Sequence, residues 1–190
     1  GTEEGISIYD GVQTKVYKPS EFHRQNANPI GNQTHFIAGD KDGNVFFDSD
    51  QSLIRYDIQT QKFSCLRKSN VYTVASIKGT IWVGIADSIL TWNPDKNDFD
   101  FVTRLENRNQ RATCLLEDSG GRYWIGTTDG LFRMNDDKSL TCMIMGEDIY
   151  DLYEDSKYNL WISIRMNGMY KRDVHGNFTR YRYDPSNPNN

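Results

Sequence analysis

The chain is written in short apolar and aromatic runs separated by turns of Gly, Asp, Asn and Ser. The clearest series is ATCLLED (112–118), RYWIGTT (122–128), GLFRMN (130–135) and SLTCMI (139–144), joined by SGG, DG and DDK. Runs of this length, rich in β-branched and aromatic residues and bounded by turn formers, predict strands. No stretch keeps a helical period for three turns, so the expected fold is all-β.

The series recurs. Aligned on its tryptophan, Trp124 matches Trp161 in the next unit, Trp82 in the previous one and Phe46 before that, at spacings of 37, 42 and 36 residues. A four-stranded antiparallel unit repeated about every 40 residues reads as a β-propeller blade, because one such sheet cannot bury both faces unless neighbours stack on it. The large ring on the second strand is expected to fill the wedge between sheets. Blades are expected at 34–66, 71–102, 112–143 and 149–181, with a half blade at 5–18, a linker at 19–33 and a connector at 182–190. The whole, 1–190, reads as one propeller fragment of about four and a half blades. The full propeller is expected to have seven, and the fragment's open edges are the expected site of self-association.

Asp40, Asp118 and Asp155 recur at the turn between the first and second strands, where a short acceptor side chain can bond the turn's own amides; Ser76 stands there in the second unit. DKDGN (40–44) also opens like a calcium loop, but it lacks the downstream Glu of that motif and aligns with DSGGR, so a turn is expected and no metal.

Composition narrows the picture. A chain of 190 residues can bury roughly 70% of its unfolded surface. The net charge is −4, with Lys and Arg scattered singly, which argues against nucleic acid as a partner. No run reaches the ~20 apolar residues of a membrane helix, and GTEEGISIYD lacks a signal-peptide pattern. Three cysteines, Cys65, Cys114 and Cys142, are too few for a disulfide scaffold and read as buried small apolar residues; a Cys65–Cys142 bridge is the alternative.

The stretch LLEDSGGRYWIGTTDGL (115–131) resembles the two-component regulator propeller repeat, and the resemblance extends in weaker copies over residues 5–183. The fourth copy departs with Ser163, Ile164 and Met169, the second lacks Glu-Asp and the later Gly, and the first has Phe46 for Trp. The resemblance implies the periplasmic sensor region of a Bacteroidetes-type hybrid histidine kinase/response regulator that detects an oligosaccharide and controls polysaccharide-utilisation genes. It implies as partners the remaining blades and a β-sandwich of the parent receptor, with membrane attachment only through that parent, and no cofactor.

Ligand contacts are expected from the loops joining strand four to the next strand one and strand two to strand three. Arg108, Arg111, Arg165 and Asn167 suit sugar hydroxyls, and Tyr72 or Tyr150 suits a pyranose face. The fourth unit has one extra residue in its second-to-third loop, which places Arg165, Met166 and Asn167 where the other units carry small residues. Asp87 and Asp129 take equivalent loop positions and could pair as carboxylates, but both read as turn residues, and no enzyme is expected. His23, His35 and His175 lack metal-site spacing, and the sequons at Asn32 and Asn177 matter only in a eukaryotic secretory protein. The alternatives to a sensor are a protein-binding propeller scaffold and, further off, a glycan-active enzyme.

Overall fold

A computed structural model describes residues 6–9, 11–17, 34–49 and 52–182. The linker expected at 19–33, with His23 and Asn32, and the connector beyond Arg182 lie outside these residues. Every regular element among the described residues is a β-strand. No helix there is long and apolar enough to cross a membrane.

Strands β1 (Ile6–Tyr9) and β2 (Thr14–Tyr17) form a two-stranded sheet. Four four-stranded sheets follow, each with its strands in chain order. Sheet one is β3 (Ile37–Gly39), β4 (Val45–Ser49), β5 (Ser52–Asp57) and β6 (Lys62–Arg67). Sheet two is β7 (Val71–Ile77), β8 (Thr80–Ile85), β9 (Ser88–Asn93) and β10 (Asp98–Arg104). Sheet three is β11 (Ala112–Glu117), β12 (Tyr123–Thr127), β13 (Gly130–Met134) and β14 (Leu140–Met145). Sheet four is β15 (Ile149–Glu154), β16 (Leu160–Ile164), β17 (Met169–Arg172) and β18 (Phe178–Tyr181). The first strand of sheets two, three and four carries a register shift near its start, at Val71/Thr73, Ala112/Cys114 and Ile149/Asp151, a bulge of the kind that sharpens strand twist.

The chain divides into two compact units, residues 1–86 with 90–101, and residues 87–89 with 102–190. In the first, the alternation of side chains gives sheet one two apolar faces. Phe46 and Leu53 join Val71, Val74, Ile81, Val83 and Trp92 in one core. The intervening Phe47, Ile54 and Tyr56 pack with Ile6, Ile8 and Tyr17 of the two-stranded sheet. The Phe46 and Trp92 rings meet edge to face at 5.2 Å. In the second unit Cys114, Trp124 and Leu131 of sheet three share a core with Ile149, Leu152, Leu160, Ile162 and Ile164 of sheet four. Full burial of each such aliphatic side chain contributes about 1.5–3 kcal/mol. Gly126 lets the sheets approach: a Cβ there would collide with the Cys114 sulfur and stand 2.7 Å from Ile149 Cγ2.

The recurring aspartates close their turns and also reach the rings. Asp118 Oδ1 accepts from the Arg122 amide at 2.9 Å, and Asp118 Oδ2 accepts from the Trp124 indole at 2.8 Å and from Arg122 Nε at 2.7 Å. Asp155 repeats this with the amides of Lys157 and Asn159 and the Trp161 indole at 2.8 Å. Asp40 has only the turn to serve, because its ring position is Phe46; it accepts from the amides of Asp42 and Asn44. Sheet two has Ser76 here and turns instead on two left-handed residues, Lys78 (φ 49°) and Gly79 (φ 75°), the geometry of a tight hairpin. Burial works to raise the Asp118 carboxyl, but the indole and the Arg122 amide and guanidinium hold it below its ordinary value. The Asn159 side chain first, and then the Trp161 indole, likewise lower Asp155.

The cysteines need one correction. All three are free; Cys114 is buried and Cys65 half-buried, but Cys142 is exposed. It lies on β14, the last strand of sheet three, which has no further strand beside it in its sheet. Burial pushes the Cys114 thiol up to about 12, so it behaves as an inert apolar group.

Candidate functional site

Antiparallel order places the loops joining sheets and the turns between second and third strands at the same end of each sheet. In the second unit these segments are tied together through the backbone. The Thr128 amide donates to Arg111 O at 3.0 Å, the Gly146 amide to Asp129 O at 3.0 Å, and the Arg165 amide to Asp148 O at 2.8 Å.

Three of the residues expected to bind ligand meet on sheet four. Arg165 Nε donates to Asp148 Oδ2 at 2.9 Å, and the Arg165 guanidinium lies over the Tyr150 ring, 5.0 Å from its centroid. Asn167 Nδ2 donates to Glu147 Oε2 at 3.1 Å, while Arg180 pairs with Glu147 Oε1 at 2.9 Å. The extra residue explains the shape of this turn. Met166 takes a left-handed conformation (φ 58°) and is fully exposed at the tip. Gly168 follows at φ 81°, where a Cβ would collide with the Tyr181 carbonyl oxygen.

The cluster therefore offers an exposed aromatic ring, two cationic and two anionic groups, and an amide within one sheet end. The second oxygen of Asp148, Oδ1, is buried and without a hydrogen bond among the described residues. Such a set suits a neutral, hydroxyl-rich ligand, whose hydroxyls both donate and accept.

The other candidates stand apart from this cluster. Arg111 turns its guanidinium back on its own loop, donating to Arg108 O at 2.7 Å and Gln110 O at 2.8 Å, while Arg108 is exposed. Tyr72 lies on β7 in the first unit and is half-buried. Asp87 accepts from the Ser88 hydroxyl at 3.0 Å and faces Arg104 at 3.7 Å, and the Asp129 amide donates to the Thr127 hydroxyl at 3.1 Å; both are turn residues held by neighbours. Glu147, Asp148 and Arg180 went unrecognised in the sequence, as did the buried Asp48, which accepts from the His35 and Phe36 amides and from His35 Nδ1. The Asp-to-Trp bond had a visible signal, since the two stand six residues apart in both complete copies.

Residues 108–129, running from this loop through β11 and β12, match the sequence family described as the two component regulator propeller. Over those residues the chain resembles one copy of the two component regulator propeller repeat. No curated protein is similar to it in sequence. Among solved structures, the extracellular domain of a hybrid two component system from B. thetaiotaomicron superposes with a TM-score of 0.76 at 20% identity, covering 98% of this chain and 26% of that one. PorZ, a surface component of the type-IX secretion system of Porphyromonas gingivalis, gives 0.68 at 14%, covering 94% of this chain and 31% of that one. Virginiamycin B lyase of Staphylococcus aureus gives 0.64 at 16%, covering 83% and 57%. At these identities the likeness shows the fold, a β-propeller built from these sheets as blades, and the chain spans about a quarter of the first of these relatives.

Proposed function

We propose that this propeller is the extracytoplasmic, periplasmic ligand-sensing part of a hybrid two-component receptor, that its ligand is an oligosaccharide, and that Tyr150, Arg165 and Asn167 contribute to the binding surface. The observation that carries the reading is the repeat match at residues 108–129, which names the regulator family in the loop and blade beside that surface. The fold shared with an extracellular domain of a hybrid two component system supports it. The chemistry of the cluster supports the ligand class: Tyr150 can stack on a pyranose face, and the paired charges can trade partners for sugar hydroxyls. Chemistry on the sugar is no part of this reading.

The test is a thermal melt of the chain against a panel of plant and host oligosaccharides. A ligand at about 100 times its Kd adds about 2.7 kcal/mol, a rise of roughly 5–10 °C for a domain of this size. The rise should disappear in Arg165→Ala and Tyr150→Ala variants whose unliganded melts are unchanged. A panel without a shift overturns the oligosaccharide reading, and conversion of the sugar during the assay replaces it with an enzyme.

A further inference from the structure

The tryptophan of sheet three gathers three guanidiniums. Arg122 Nε donates to Asp118 Oδ2, the oxygen that also accepts from the Trp124 indole. Arg133 is the cross-strand partner of Trp124 and so stands on the same face of the sheet. Arg172, from sheet four, lies over the ring at 5.3 Å from its centroid. Arg122 precedes β12 and Arg172 ends β17, whereas Arg165 follows β16, so this cluster and the Tyr150–Arg165 cluster occupy opposite ends of the two sheets.

The three cations have one bonded carboxylate among the described residues, Asp118, whose side chain is 2% exposed. Glu154 spends both oxygens on Ser119, accepting from its amide at 2.7 Å and its hydroxyl at 2.9 Å. Asp173 is taken up by the amides of His175 and Asn177 and by the Asn177 side chain. Burial first, and then the charges of Arg122 and Arg133, lower the Arg172 guanidinium below its ordinary value against the pull of Asp118 and Asp173. The same place in sheet one is neutralised. Arg55 is the cross-strand partner of Phe46 as Arg133 is of Trp124, and it donates from Nη2 to Asp57 Oδ2 at 2.7 Å and from Nη1 to Asn97 Oδ1 at 3.0 Å. Two residues beyond Arg133 the chain has Asn135 where sheet one has Asp57, and the Asn135 amide is spent on Ser139 and Thr141. Arg133 is left with no hydrogen bond or ion pair among the described residues. The Nε atoms of Arg55 and Arg172 are both buried without a hydrogen bond, but Arg172 has no carboxylate on its other nitrogens, and its Nη1 reaches only the Asp173 carbonyl at 3.4 Å.

We propose that Arg122, Arg133 and Arg172 form a binding site for a doubly charged tetrahedral oxyanion: inorganic phosphate, sulfate or a phosphate monoester. The charge matches, since one carboxylate against three guanidiniums leaves two positive charges to be met. The geometry matches as well, because guanidinium forks present paired donors to paired oxygens, and the buried Arg172 Nε gains an acceptor. Two glycines keep the approach open: a Cβ on Gly120 would stand 3.5 Å from Arg122 Nε, and one on Gly176 would stand 3.2 Å from Arg172 Nη2. The site is separate from the sugar-binding surface proposed above and does not depend on it.

The experiment titrates the chain with sodium phosphate and with sodium sulfate, at an ionic strength held constant with sodium chloride, and follows calorimetry and the arginine Nε–H resonances. The expected result is saturable binding of a single anion, with the Arg172 Nε–H resonance, assigned through Arg172→Lys, moving most. Arg133→Gln should weaken binding roughly tenfold or more, while its unliganded melt stays unchanged or rises because a like charge is removed. Arg165→Ala, at the other end of the sheets, should bind the anion as the original chain does. Methyl phosphate separates the sources: affinity equal to that of inorganic phosphate assigns the site to a monoester, and a large loss assigns it to the free anion. Absence of saturable binding above chloride overturns the proposal. So does binding that Arg133→Gln leaves unchanged, or that acetate matches in affinity.

Discussion

Trp124 and Trp161 hold the same place in consecutive sheets and donate to equivalent turn aspartates, Asp118 and Asp155, at the same 2.8 Å, yet one is fully buried and the other partly exposed. The bond belongs to the repeat itself, whereas the burial belongs to whatever stands in front of it. A repeat of this kind therefore encodes half an interface, and the energetic weight of its signature residue is set by its neighbour. Substitution separates the two contributions. Trp124→Ala removes a packed ring between two sheets and should cost about 3–5 kcal/mol. Trp161→Ala removes the bond, the Tyr181 contact and a smaller buried area, and should cost less, about 1–3 kcal/mol. Urea unfolding of both variants measures the gap, and equal losses would mean that the indole bond, not the neighbouring sheet, dominates.

The residues two places on sharpen the same contrast. Gly126 is buried under Ile149, while its counterpart Ser163 is half-buried on the uncovered face of sheet four. Gly126→Ala forces a methyl into the Cys114 sulfur and the Ile149 side chain and should destabilise by about 1–3 kcal/mol. Ser163→Ala should change stability by less than about 0.5 kcal/mol, as an open site tolerates the change. Thermal melts read both; a harmless Gly126→Ala would show that sheet four can shift outward without loss.

Much of this plan is legible in the sequence because it is local. The strands of sheet three fall within a residue or two of their expected ends, since Gly, Asp and Asn mark each turn by what their backbones and side chains can do. The partial exposure of Trp161 is not legible, because burial is a property of two sheets and the motif describes one. The ligand cluster is half legible for the same reason. Arg165 and Asn167 stand out by an inserted residue, but Glu147 and Arg180 join them only through strand pairing, which brings β18 beside β17 and leaves no mark at either position. Cys142 was expected to be buried on the general habit of cysteine, and its place on an outermost strand overrides that habit.

A small gain, rather than a loss, is expected at the turn beside the tryptophan. At its fourth position sheets one and three have Gly43 (φ 85°) and Gly121 (φ 77°), while sheet four has Tyr158 at φ 63°. All three donate their amide to the turn aspartate's carbonyl, at 3.2, 2.9 and 2.9 Å, so the turn keeps its form and Tyr158 bears the strain. A left-handed side-chain-bearing residue costs about 1–2 kcal/mol, and glycine there gives back about 0.5–1 kcal/mol through its freer unfolded chain. Tyr158→Gly should therefore stabilise by about 0.5–1 kcal/mol, and because the ring is 61% exposed, little packing is lost. The reciprocal Gly121→Tyr should lose a similar amount. If Tyr158→Gly lowers the melting temperature instead, the ring makes a contact worth more than the strain, and the two turns differ in function as well as in backbone.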